Sequence, residues 1–104
     1  MSLEILTKNK MNYPDSKLQS LSRMLKLAAV PARLAILFYL HDASSNVTGI
    51  VAYTKLSQAL VSYHLSNLET ARLVEAEKKG KEVKYSLAET GQLLVSYLVK
   101  IGNL

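Results

Sequence analysis

Cysteine is absent from this chain of 104 residues, and acidic residues are few, with eight against thirteen lysines and arginines. Without cysteine the sequence excludes disulfides, thiolate metal sites and thiol-based redox sensing. No apolar run has the length of a membrane span, and the start of the chain lacks the features of a secretory signal. We therefore expect a cytoplasmic protein with no membrane partner. The net charge of +5 favours a polyanion as its partner.

The motifs of catalysis are also missing. The chain has no glycine-rich phosphate loop, no Gly-x-Ser-x-Gly elbow and no cluster of histidine with carboxylates at catalytic spacing. Ser57 and His64 would lie two helical turns apart, about 10 Å along one helix, which is too far for a nucleophile and its base. We predict a protein that is not an enzyme and that needs no cofactor.

The length suits one compact domain, which we predict over residues 15–104 after an N-terminal arm of residues 1–14. Asp15 or Ser16 is predicted to cap a first helix. Its apolar stripe consists of Leu18, Leu21, Leu25 and Ala28. A second helix, from about Pro31 to Leu40, is apolar almost all round and is predicted to be the centre of the core. Thr48 is expected to cap a short third helix that ends at Thr54.

The next segment carries the strongest functional signal. We predict that Ser57 caps a helix ending near Ala71, with its apolar side made by Val61, Leu65 and Leu68. The opposite side has no acid and no lysine; it carries Gln58, Ala59, Ser62, Tyr63 and Ser66. Short hydrogen-bonding groups of this kind can read base edges in a major groove. The alternative is an ordinary amphipathic helix with a weakly polar face.

The hydrophobic period then changes from helical to alternating. Residues 73–78 and 81–87 flank a Lys79–Gly80 tip and predict a β-hairpin. Thr90 is expected to cap a closing helix with one more apolar stripe, formed by Leu93, Leu94, Tyr97, Leu98 and Ile101. Four helices, a hairpin and a closing helix make a mainly α fold with a small β-hairpin, which is a winged helix-turn-helix.

Three blocks resemble the ArsR/SmtB family of small dimeric repressors: residues 25–37, residues 56–68, and the pair 73–74 with 83–87. The resemblance implies a homodimer joined through the terminal helices, with the stripe from Leu93 to Ile101 at the interface. The alternative is that this stripe closes the core of the monomer. The sequence departs from the family at Val30, where an Asp cap is usual, and at Lys55, where Gly is frequent. The family's metal-sensing residues are missing from residues 47–51 and from the last helix, so we expect no metal site.

Candidate DNA contacts fall into two classes. Gln58 and Ser62 are the best candidates for base edges, whereas Tyr63 is assigned either to DNA or to plain exposure, and Ala59 lies beside them. Phosphate contacts are predicted for the basic residues of the helix-turn-helix turn and the wing tip, with the Ser57 hydroxyl secondary to its capping role. These basic residues are Lys55, Lys78, Lys79 and Lys81. Arg33 is assigned either to a phosphate or to an internal ion pair. His64 is assigned to a packed or hydrogen-bonded structural role, with a phosphate contact as the alternative.

We therefore predict a homodimeric, sequence-specific regulator of transcription that binds double-stranded DNA and represses by occluding a promoter. A different class of protein, an architectural protein that coats DNA with little sequence preference, would carry the same basic charge. A winged helix used only as a protein-interaction module is the third alternative. Nothing in the sequence identifies an effector.

Overall fold

Five helices and one antiparallel hairpin follow one another along residues 13–103, the part of the chain that this computed structural model describes. The helices are α1 (Asp15–Ala28), α2 (Pro31–Asp42), α3 (Val47–Thr54), α4 (Gln58–Thr70) and α5 (Glu89–Gly102). Strands β1 (Val74–Lys79) and β2 (Glu82–Leu87) lie between α4 and α5. This order confirms the predicted winged helix-turn-helix. Most of the arm predicted for residues 1–14 lies outside the described residues.

Helix α2 lies at the centre of the core, as its sequence predicts. Pro31 occupies its first turn, where a missing N–H costs nothing. Ile36, Leu37 and Leu40 are buried, and α2 contacts α3, α4, α5 and β2. The other buried apolar side chains come from the remaining helices, from one end of the hairpin and from the residue before β1. They are Ala28, Ile50, Val61, Leu65, Leu68, Leu73, Val74, Leu87 and Val95. The core is therefore a single cluster around one helix.

The starts of three helices differ from the predicted ones. Pro14 precedes α1 and Ala88 precedes α5, and neither helix has a side-chain cap. The predicted caps of these helices, Asp15 or Ser16 and Thr90, are inside them. At α3 the cap is Asn46 and not Thr48, because the Asn46 Oδ1 accepts a hydrogen bond of 2.8 Å from the Gly49 N–H. Helix α2 follows Val30 without a side-chain cap, as that departure from the family predicts.

The apolar stripe of α1 is only partly used by the core. Ala28 is buried and Met24 packs against the core, but Leu21 and Leu25 are 39% and 52% exposed. Helices α1 and α2 meet at a bend of 91°. Within residues 13–103 no single helix is long and apolar enough to cross a membrane; only α1 and α2 taken together reach that length and composition.

The wing pairs with a third segment of the chain, which the sequence does not predict. Its two strands pair from Val74 opposite Leu87 to Lys79 opposite Glu82, and Gly80 at the tip has φ +62°, a conformation that glycine adopts without strain. Ser45, in the connector before α3, forms a bridge to Tyr85 through two backbone hydrogen bonds of 2.9 and 2.7 Å. The wing is therefore fixed to the connector between α2 and α3.

Helix α5 starts in close contact with the residue that precedes β1. The Ala88 N–H donates a hydrogen bond of 3.0 Å to the Leu73 carbonyl. Gly91 is buried against the same carbonyl, and a Cβ at this position would collide with the carbonyl oxygen. A glycine is therefore required here by the close approach of two backbone segments.

Candidate nucleic-acid interface

Helix α4 has one side in the core and the other in solvent, as predicted. Val61, Leu65 and Leu68 are completely buried. The opposite side exposes Gln58, Ala59, Ser62, Tyr63 and Ser66. The Ser57 hydroxyl accepts a hydrogen bond of 3.1 Å from the Leu60 N–H, which confirms Ser57 as the N-cap. The exposed side therefore has hydroxyl, amide and small apolar groups at the start of the helix, without a charged side chain.

The turn between α3 and α4 carries the exposed cation Lys55. This residue has φ +63°, the left-handed conformation for which glycine is usual, so the modest strain expected from the sequence is present. Its N–H caps α3 by donating 2.8 Å to the Val51 carbonyl. The Thr54 hydroxyl accepts from the Leu56 N–H at 3.3 Å, which fixes the exit from the turn. Lys55 thus lies three residues before Gln58, where the exposed face of α4 begins.

Arg33 is inside the protein, and its guanidinium joins α2 to α4. Only 7% of the residue is exposed. Its Nε donates 3.1 Å to the His64 Nδ1, and its Nη1 donates 3.0 Å to the Leu27 carbonyl. The internal ion pair, one of the two roles left open for Arg33, is not formed with any described residue, since its partners are an imidazole and a carbonyl. Because burial leaves little of Arg33 for a phosphate, we assign it the positioning of α4.

His64 has the hydrogen-bonded structural role that the sequence predicts. Its Nδ1 accepts from Arg33, so this nitrogen must be unprotonated while the bond exists. Burial, and then the nearby positive charge of Arg33, lower the pKa of His64 below its ordinary value. The guanidinium carbon of Arg33 also lies 5.6 Å from the centre of the Tyr63 ring. The Arg33 guanidinium therefore lies over one face of the Tyr63 ring, although Tyr63 as a whole is exposed.

The wing tip is basic and exposed. Lys78, Lys79 and Lys81 all have exposed side chains around Gly80. Lys79 lies 3.6 Å from a carboxylate oxygen of Glu77, but both side chains are 71% exposed, so water and salt weaken this pair. The three lysines therefore remain available to a phosphate strand.

A capped helix with an uncharged outer face, a cationic turn before it and a basic hairpin after it agree with the sequence comparisons. The profile of the bacterial regulatory proteins of the arsR family matches residues 30–76, from the start of α2 into the wing. The transcriptional regulator NmtR of Mycobacterium tuberculosis is 31% identical over 84 residues, which cover 76% of this chain and 70% of NmtR. The chain belongs to the ArsR family.

A second relative and a solved structure are also similar to this chain. The transcriptional repressor SmtB of Mycobacterium tuberculosis is 36% identical over 76 residues, which cover 73% of this chain and 56% of SmtB. The chain thus spans little more than half the length of that relative. Among solved structures, HlyU from Vibrio cholerae superposes with a TM-score of 0.78 at 27% identity, covering 85% of this chain and 97% of HlyU.

A second solved structure is the homodimeric winged helix-turn-helix DNA-binding domain of a possible ArsR-family regulator from Mycobacterium bovis. It has a TM-score of 0.75 and 27% identity, and the match covers 85% of this chain and 82% of that domain. These comparisons and the order of the elements agree on the fold of an ArsR-family winged helix.

The apolar stripe of α5 is divided between the core and solvent. Leu94 packs against the core and Leu98 is half-buried. Leu93, Tyr97 and Ile101 are 54%, 59% and 61% exposed. Closing the monomer core therefore accounts for only part of the stripe. Three large apolar side chains of α5 remain exposed, in addition to Leu21 and Leu25 of α1.

The described residues of this ArsR-family chain contain no group of three or more histidine, aspartate and glutamate side chains that converge on one point. Residues 47–51 form the first turn and a half of α3, and Ile50 is buried there. His41, the second histidine, lies in the last turn of α2, far along the chain from His64.

Proposed function

We propose that the chain is a homodimeric, sequence-specific regulator of transcription that binds double-stranded DNA in the cytoplasm and represses by occluding a promoter. It acts by binding and not by catalysis. The observation that carries this proposal is the outer face of α4, which is exposed and capped yet free of charged groups over its first two turns. A purely solvated helix would gain nothing from such a face.

In the proposed complex the start of α4 enters the major groove. Gln58 and Ser62 lie one turn apart on the exposed side, where amide and hydroxyl groups can pair with base edges. Ala59 and Tyr63 lie beside them and contact thymine methyl groups or the backbone. Lys55 at the turn and the wing-tip lysines contact phosphates, which position the helix without reading sequence.

The dimer brings two such helices to one duplex. We place its interface on the exposed apolar side chains of α5, with Leu94 and Leu98 supporting them from the core side, and on Leu25 of α1. A twofold dimer presents two equal reading helices about one helical turn of DNA apart. The homodimeric state of the similar domain from Mycobacterium bovis supports the proposal of a dimer.

The test is selection of bound sequences from a random duplex library, followed by measurement of affinity against salt. We expect enrichment of an inverted repeat whose half-sites are about ten base pairs apart. Tight, salt-sensitive binding without enrichment would instead identify a DNA-coating protein, and the absence of salt-sensitive binding would identify a protein-interaction module.

Variants in α4 separate the recognition of a base sequence from the electrostatic attraction of the protein to any DNA. Gln58→Ala and Ser62→Ala should each reduce discrimination against altered half-sites by about 1–3 kcal/mol at one base position, while binding to unrelated DNA is unchanged. Ser66→Ala is the matched control, because Ser66 is exposed on the same face but about 6 Å further from the start of the helix. If all three variants selected the same sequences as the unaltered protein, α4 would not be the reading helix.

A further inference from the structure

A groove of about 550 Å³ lies between α1, the end of α4 and the start of α5, and its lining is cationic. Lys17 and Arg23 line it from α1, and Arg72 lines it from the link between α4 and β1. Among the described residues 13–103, no aspartate or glutamate lines the groove and none of the three cations forms an ion pair. Three like charges share one concave surface.

The residues that line this groove also include hydrogen-bond donors. Thr90 lies in the first turn of α5, where the backbone N–H groups have no partner inside the helix, and no side chain caps that turn. The hydroxyl of Ser20 also lines the groove. The Thr70 hydroxyl donates to the Ser66 carbonyl at 3.0 Å and is already used. Glu69 and Glu89, which precede the lining residues Thr70 and Thr90 in the sequence, are not part of the lining.

The remaining lining is apolar and comes mostly from one side of α1. It consists of Leu21, Met24 and Leu27 of α1 and of Ala71, which follows α4. The groove thus combines a cationic, donor-rich part with an apolar wall, and its volume lies within the range of ordinary sites for small ligands.

We propose that this groove binds a small organic anion. Lys17, Arg23 and Arg72 hold its phosphate or carboxylate group, with the first turn of α5 contributing N–H donors. The apolar body of the ligand packs against the α1 wall. The anion provides the negative charge that the described lining lacks.

The groove is separate from the proposed DNA-reading end of α4. Thr70 lies twelve residues after Gln58, which is about 18 Å along the helix axis. A bound anion would link α1, the end of α4 and the start of α5. If the proposed function is right, such a link fixes the tilt of the reading helix and makes DNA affinity depend on the anion; this step, unlike the binding itself, rests on the proposed function.

The binding is tested without DNA by titrating the ¹⁵N-labelled protein with phenyl phosphate, inorganic phosphate and benzyl alcohol at constant ionic strength. We expect saturable shifts of the Arg72 and Thr90 amides with phenyl phosphate and weaker binding of inorganic phosphate at the same amides. Benzyl alcohol, which lacks the charge, should not bind measurably. Shifts scattered over the wing lysines, or equal shifts with sodium chloride, would overturn the proposal.

Charge variants identify the groups that hold the anion. Lys17→Gln and Arg72→Gln should each weaken phenyl phosphate binding about tenfold, through loss of one charge-assisted hydrogen bond. Lys26→Gln is the control, because Lys26 is an exposed cation on the same helix that does not line the groove. Equal affinity in all three variants would mean that the three cations do not form a site.

The link to DNA is measured separately, as operator affinity with and without phenyl phosphate. A change that is lost in Arg72→Gln supports the coupling, and no change in the presence of saturable binding rejects it. Weaker DNA binding by Arg72→Gln alone, without probe, would show that a DNA phosphate occupies the groove. If the protein bound no DNA, the titration would still decide the site, so the two proposals can fail independently.

Discussion

At the scale of single residues, the hydrogen bond from Arg33 to His64 makes the stability of the fold depend on one proton. Burial and the Arg33 charge lower the pKa of His64 from its ordinary 6.5, so the folded chain binds that proton less readily than the unfolded chain. The contribution of the neutral imidazole is complete above about pH 6.5 and declines as the pH falls towards the lowered pKa of the folded chain.

We therefore expect the free energy of unfolding, measured with urea at a series of pH values, to decrease as the pH falls below about 6.5. His64→Gln should remove this dependence, and it should cost about 1 kcal/mol at neutral pH through the altered hydrogen bond. His41→Gln, which changes the exposed histidine, should keep the full pH dependence. The opposite pattern in the two variants would mean that His64 is not the titrating group.

The two left-handed residues offer a second test at this scale. Lys55 and Arg72 have φ of +63° and +60°. Replacing either residue by glycine should raise the free energy of unfolding by about 1 kcal/mol, because glycine adopts this conformation without strain. Lys55→Gly should also weaken DNA binding, because a phosphate contact is lost, whereas Arg72→Gly should leave it unchanged. Equal DNA affinity of both variants, measured by fluorescence anisotropy, would remove Lys55 from the interface.

Single residues differ in how far their roles follow from the sequence. Ser57 as a cap and the strain at Lys55 were both predictable, since each depends on neighbours within three residues. The position of Arg33 was not, because its partners His64 and Leu27 belong to other helices. Arg72 carries no sequence signal for a left-handed conformation, since arginine is common at helix ends for reasons of charge.

At the scale of elements, the wing is the part whose contribution to binding is simplest to isolate. Replacing Lys79 and Lys81 together by Ala should reduce the slope of log affinity against log salt by about two, if each lysine contacts one phosphate. The Glu77 pair is too exposed to compete with a phosphate strand. The measurement is a titration of a fixed operator at several salt concentrations.

Lys26→Ala is the control for this slope, since Lys26 is an exposed lysine of α1. It should leave the slope unchanged. A slope that is also unchanged in the double variant would place the wing tip in solvent within the complex.

The elements themselves were predictable, whereas their junctions were less so. The helices and the hairpin follow from apolar spacing, and the end of α4 falls where the sequence predicts it. The first residues of some helices differ from the predicted ones because backbone contacts decide where a helix begins. The Ala88 N–H donates a hydrogen bond to the Leu73 carbonyl, so α5 begins at Glu89, soon after the end of β2. The bridge from Ser45 to Tyr85 joins segments forty residues apart and leaves no local pattern.

At the scale of the whole molecule, the exposed apolar side chains of α5 predict association. Tyr97→Glu should yield monomers in sedimentation velocity without unfolding the chain, because Tyr97 is 59% exposed in the single subunit. Operator affinity should fall about a hundredfold, since the two half-sites are then bound independently. Leu98 is a poorer position for this test because it is half-buried within the subunit.

Gln92→Glu is the control for the dimer test, as it adds the same charge to an exposed polar position of α5. It should remain dimeric. A Tyr97→Glu protein that sedimented as the unaltered protein would exclude this face of α5 from the dimer.

The contact between Gly91 and Leu73 also affects how the molecule would measure DNA. The start of α5 and the base of the wing are held by one carbonyl, so neither can slide past the other. If the two subunits of the proposed dimer are joined through α5, the distance between their reading helices is fixed. One base pair inserted between the half-sites would rotate one of them by about 35°. The duplex, which twists and bends, would have to absorb that rotation in place of the protein.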